Sequence, residues 1–131
     1  MKRRTVVVAV VLALVLVPVA VLMLHLSGGR AWAFPVSGDP GISWMVVTDT
    51  PAYRVLRDYA KPGATRRMHH HEATWHALTL ATGTLVLTVE GESPMQLSAG
   101  QTVTLAGGVA HTFTNPGTET ATIVEVFGKH P

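Results

Sequence analysis

The chain has 131 residues, enough for one domain, with ten basic and eight acidic residues, seven histidines and no cysteine. Lacking cysteine, it can have no disulfide, thiolate metal ligand or thiol nucleophile, so stability beyond the core must come from metal or oligomerisation. Four basic residues, Lys2, Arg3, Arg4 and Arg30, lie in the first 33 positions, and the other six face all eight acidic residues, giving a formal charge of −2 beyond Ala33. The high pI belongs to the leader, and no basic stripe is left to bind nucleic acid.

Residues 1–33 read as a targeting segment, either a signal peptide or a signal anchor. A basic start is followed by an apolar run from Val6 to Leu24, and Ala31-Trp32-Ala33 offers a small-x-small cleavage site. Gly28-Gly29 and Ala31-Trp32-Ala33 read as a processing region and favour cleavage. The alternative is a retained membrane-anchoring helix over residues 5–26, since the run approaches the roughly 20 residues that span a bilayer. Both outcomes place the rest of the chain outside the cytoplasm, because the basic cluster stays inside. The expected location is periplasmic or extracellular, or the outer face of the cytoplasmic membrane.

Residues 34–41 read as a linker rich in turn residues, and residues 42–131 as the domain. The predicted strands are Ile42–Thr48, Tyr53–Tyr59, Thr65–His71, Trp75–Thr82, Thr84–Glu90, Met95–Leu97, Thr102–Leu105, His111–Asn115 and Ala121–Phe127. Breaks at Pro51, Pro62-Gly63, Gly83, Gly91, Gly100, Gly107-Gly108 and Pro116-Gly117 separate them. Many short strands at this spacing predict an all-β sandwich or closed barrel.

Five of the seven histidines fall between His69 and His111. Residues two apart on a strand share a face, so His69 and His71 can point at one metal while His70 faces away. His76 opens the next strand and His111 a much later one. Singly, His76 reads as a half-buried ring and His111 as a turn residue; only a shared pattern makes them ligands.

The segment Gly63-Ala-Thr-Arg-Arg-Met-His69-His-His71-Glu-Ala-Thr-Trp-His76-Ala-Leu-Thr-Leu-Ala-Thr-Gly83 resembles the first motif of the cupin superfamily, with Gly63, His69, His71 and Gly83 in the matching places. The family usually has glutamate at the third-ligand position, where this chain has His76. Gly100-Gln-Thr-Val-Thr-Leu-Ala106-Gly-Gly108-Val-Ala-His111-Thr-Phe-Thr-Asn115 is similar to the second motif, matching at Gly100, Gly108, His111 and Asn115, with Ala106 where proline is common. The resemblance implies a double-stranded β-helix, a jelly-roll barrel holding a divalent metal through His69, His71, His76 and His111. It also admits a homodimer.

A site with four neutral ligands keeps the full charge of its metal and should favour a small anionic ligand. Manganese, iron or nickel would leave two positions open and suit a dioxygenase, isomerase or lyase, whereas zinc would be closed by four histidines. The alternatives are a non-catalytic ligand-binding or sensing module and a structural barrel stabilised by metal. On unbroken alternation, Arg67 shares the face of His69 and could hold the anion, and Phe113 shares the face of His111 and lines the pocket. Glu72 could orient a metal-bound imidazole, and Trp75 is expected to pack on the face opposite His76.

Overall fold

The computed structural model describes residues 33–131, so the hydrophobic N-terminal helix expected from the sequence lies outside the described residues. Ten strands make up the described regular structure: β1 (Phe34–Pro35), β2 (Ile42–Asp49), β3 (Tyr53–Ala60), β4 (Thr65–His69), β5 (Trp75–Thr82), β6 (Thr84–Val89), β7 (Met95–Ser98), β8 (Thr102–Ala106), β9 (His111–Thr114) and β10 (Ala121–Gly128). They form a six-stranded sheet, in the order β1-β2-β3-β10-β5-β8, and a four-stranded sheet, β4-β9-β6-β7. From β3 onward every connection except β6–β7 carries the chain from one sheet to the other. This is the wrapping of an all-β jelly roll.

Strand β6 shows why the sequence folds this way. In Thr84–Val89 the side chains of Leu85, Leu87 and Val89 are fully buried, while Thr84, Val86 and Thr88 between them are partly exposed. With a side-chain period of two, this alternation permits only one face toward the core. The core joins these residues to Phe113 on β9 and to Leu78, Leu80, Val103, Leu105 and Ile123 of the opposite sheet.

Gly83 alone separates β5 from β6 and therefore carries the chain between the sheets. Its φ of 87° lies in the left-handed region, and a Cβ there would meet the Ala121 backbone at 3.0 Å. Both facts favour glycine.

The structure departs from the expected strands at two places that bear on the site. The segment read as a linker includes β1, which pairs with β2, and also Asp39, whose side chain is buried. Strand β4 stops at His69, two residues before the expected end, leaving His71 in the β4–β5 connection.

Candidate metal centre

The four histidines come from three separate pieces of backbone. Strands β4 and β9 pair antiparallel, with Thr65 opposite Thr114, Arg66 opposite Phe113 and His69 opposite His111. Three steps along β4 thus match two along β9, so β4 carries one extra residue just ahead of His69. Such a bulge re-aims side chains. His76 lies on β5 opposite Phe127 of β10, whose ring stacks on it at 4.4 Å and also touches the His71 ring at 4.4 Å. The connection bearing His71 is pressed against the turn before His111: a Cβ on Gly107 would fall 1.9 Å from the Ala73 carbonyl oxygen.

These constraints bring all four rings together. Ring centroids are 4.4 Å apart for His69 and His111, 4.8 Å for His69 and His71, 5.3 Å for His71 and His76, and 5.0 Å for His76 and His111. Nδ1 of His69 lies 2.7 Å from the Arg67 carbonyl and Nδ1 of His111 lies 3.0 Å from the Val109 carbonyl. A carbonyl can only accept, so each Nδ1 carries the proton and each Nε2 keeps its lone pair. Burial, above all, holds His69, His76 and His111 down at about 4 and His71 at about 3. At neutral pH the rings are uncharged and ready to donate to a cation.

The sequence reading missed Glu125, which projects from β10 into this cluster. Its Oε2 lies 2.7 Å from His76 Nε2 and 3.7 Å from His71 Nε2. The carboxyls of Asp58 on β3 and Glu125 share a hydrogen bond. Burial raises both, and the charge on Glu125 raises Asp58 further, so the pair holds a proton between its two carboxyls. A signal was available: Ile123, Glu125 and Phe127 alternate along an apolar strand, and an acid in that row must face the interior. Asp58 stands out in the same way between buried neighbours on β3.

The donor set fits a metal ion. Nε2 of His71, His76 and His111 and Oε2 of Glu125 are buried with no hydrogen-bond partner. Each such atom costs about 1–3 kcal/mol unless something satisfies it. Donor atoms of His69, His71 and His111 all lie within 4.8 Å of one another, as do those of His76, His111 and Glu125. Donors on opposite sides of one ion, each at about 2.1 Å, stand about 4.2 Å apart. His111 belongs to both triads, so both point at one place.

A cavity of about 260 Å³ reaches the cluster, with His69, His71, Glu125 and Asp58 on its polar side and Phe113 on its apolar side. Arg54 and Arg66 both line it, and Arg66 is the one whose charge acts on His69 and His71. Arg67 instead turns outward, with its side chain 67% exposed, and binds Asp39 and the Ser37 carbonyl. Alternation alone placed Arg67 on the His69 face; the extra residue in β4 puts Arg66 there instead. Arg66 is held by Asp39 at 2.6 Å.

The remaining candidates play other parts. Glu72 is exposed, 3.9 Å from His70 and away from the cluster. The Trp75 indole covers Gly128, where a Cβ would meet it at 2.2 Å. Asn115 is fully buried and closes a turn, donating to the Ala60 and Glu119 carbonyls and accepting from Gly117 N–H.

The strands define a two-sheet jelly roll with a buried histidine cluster that could hold a metal ion. The cupin domain model matches residues 59–127, and the chain belongs to the cupin family. Solved structures agree on the fold. A cupin domain from Bordetella pertussis is 29% identical, covers 72% of this chain over 100% of its own, and superimposes with a TM-score of 0.60. KdgF from Halomonas sp. is 21% identical, with coverage of 76% and 88% and a TM-score of 0.65. The polyketide cyclase RemF from Streptomyces resistomycificus is 16% identical, with coverage of 73% and 72% and a TM-score of 0.65. Comparison with curated proteins gives no match.

Proposed function

We propose that this chain is an exported cupin that holds one divalent metal through His69, His71, His76 and His111 and acts as a metal-dependent enzyme on a small anionic substrate. The observation that carries this reading is the set of buried, unpartnered Nε2 atoms of His71, His76 and His111 beside a cavity that reaches His69 and His71. A purely structural metal would need no cavity at its ligands.

The bound ion would supply Lewis acidity, or a site for oxygen, at the inner end of the cavity. Manganese, iron or nickel suits that role better than zinc, because six-coordinate ions keep positions open. The chain's own residues do the rest. The Arg67 and Val109 carbonyls fix two imidazole tautomers. Arg66 gives the cavity a cation for an anionic group, and Phe113 closes its apolar side. About 260 Å³ limits the substrate to a small molecule. The jelly roll hosts enzymes, a polyketide cyclase among this chain's structural neighbours, although fold alone does not assign an activity. Export rests on the basic start and apolar run of residues 1–33.

Metal analysis of the full-length protein recovered from the cell envelope is the direct test. One equivalent of a divalent ion, lost on chelation and absent from a variant lacking all four histidines, is expected. Protein that recovers no ion, and takes up none on dialysis against manganese, iron, nickel or zinc, would reject the reading. Oxygen uptake and substrate loss with small carboxylic acids then separate an enzyme from a module that only binds.

A further inference from the structure

We infer that Glu125 is a fifth protein ligand to the metal, entering through Oε2 from β10 and giving the site the negative charge that four imidazoles lack. The inference rests on the reading that the histidines hold a divalent ion.

The geometry at His76 carries it. Nε2 of His76 and Oε2 of Glu125 lie 2.7 Å apart, yet neither has a hydrogen-bond partner. No hydrogen bond joins the two atoms despite the close approach. Two lone-pair atoms at this distance repel unless a positive centre lies between them. Both atoms are themselves shut off from solvent. A cation that both donors share removes the repulsion and satisfies both atoms.

The distances suit one coordination shell. Neighbouring donors on a six-coordinate ion stand about 3 Å apart and opposite donors about 4.2 Å, for bonds near 2.1 Å. Oε2 lies 2.7 Å from His76 Nε2 and 3.7 Å from His71 Nε2, so it reaches both triads. Asp58 positions the carboxylate: the hydrogen bond the two carboxyls share uses part of the capacity of Glu125 and leaves the rest for the ion. Five protein ligands lower the charge of the site by one and leave a six-coordinate ion a single open position. The substrate is then held at the metal through one atom, with its remaining anionic group toward Arg66.

The test uses cobalt(II) alone as probe, on the full-length protein and on Glu125→Gln, which keeps the shape and removes the charge. A cobalt affinity at least about tenfold weaker in the variant, together with a changed visible d–d spectrum, is expected. The unaltered protein also serves without any variant: its cobalt-minus-apo infrared difference spectrum should contain a perturbed carboxylate stretch, absent from Glu125→Gln. Equal affinity and an identical visible spectrum in the variant overturn the assignment while leaving the histidine site standing. So does an infrared difference spectrum of the unaltered protein with no carboxylate band. If the unaltered protein takes up no cobalt, the histidine site and the Glu125 ligand fall together.

Discussion

His69 and His111 stand directly opposite each other in the β4–β9 ladder, with ring centroids 4.4 Å apart. The pairing exists because β4 takes up one extra residue between Arg66 and His69. The bulge thus sets two things at once. It aligns two imidazoles from distant parts of the chain, and it puts Arg66 on the cavity wall. His111 is the fixed member of the pair, fully buried and shared by both donor triads.

His111→Ala is therefore expected to weaken manganese or cobalt binding by about 100-fold or more, since it removes a donor and leaves a hole that no neighbour can fill. His70→Ala is the control. Its side chain is 60% exposed and faces Glu72, so affinity should stay at the unaltered value. Calorimetric titration of both variants decides the matter. Equal losses would mean that the ion is held by the exposed histidine tract and not by the interior cluster.

Chelation should lower the melting temperature by a large and reversible amount. A ligand that binds only the folded state at 100 times its Kd adds about 2.7 kcal/mol. For a domain of this size each kcal/mol moves the midpoint by about 4–8 °C, so a drop of roughly 10–20 °C is expected. Thermal scans with and without chelator, then with the ion restored, measure it. A midpoint insensitive to chelation in protein shown to contain metal would contradict the coupling of site and fold.

Much of this architecture was legible in the residues alone. Thr84-Leu85-Val86-Leu87-Thr88-Val89 announces a half-buried strand by its period, and Gly83 marks the crossing between sheets because the backbone there needs a positive φ. The resemblance to the two cupin motifs, and not the spacing of single histidines, flagged the four rings that the fold brings together. What stayed hidden depends on tertiary context. One extra residue in β4 inverts the parity argument that favoured Arg67, and nothing in Thr-Arg-Arg-Met-His spells out a bulge. Glu125 was passed over because a single acid has no spacing partner; its meaning appears only when β10 lies beside β5 and places it against His76.

Acid should remove one specific contribution to stability. Asp39 is 1% exposed and binds Arg66 and Arg67. Burial pushes its carboxyl up, but the hydrogen bonds from Arg66 and Arg67 outweigh this and hold it below the usual 3.8. As pH falls, the unfolded chain takes up the proton first, so the stabilisation is present above pH 4 and is lost as pH drops through the folded value. Asp39→Asn should cost about 1–3 kcal/mol at pH 7, and the gap to the unaltered protein should close below pH 4. Urea unfolding of both proteins from pH 7 to pH 3 tests the sign; a gap that widens in acid would mean that Asp39 is not held as a carboxylate.

Gly107→Ala should disturb the site through the backbone, without touching a ligand. The added Cβ would overlap the Ala73 carbonyl oxygen at 1.9 Å and approach the Thr74 carbonyl oxygen at 2.8 Å. Backbone atoms cannot rotate away as a flexible side chain can, so the 70–74 connection or the turn before His111 must move. That displaces His71 relative to His111 and opens the cluster. A loss of about 1–3 kcal/mol is expected from the overpacking, with metal affinity falling as well because two donors separate. Gly100→Ala supplies the contrast. Its φ of 92° is strained for alanine, but no atom lies within 4 Å of the added Cβ, and its N–H bonds the Leu80 carbonyl, toward the end of β5 away from His76. The Gly100 variant should lose stability while keeping its metal affinity. If both variants bind the ion equally well, close approach at Gly107 does not set the spacing of His71 and His111.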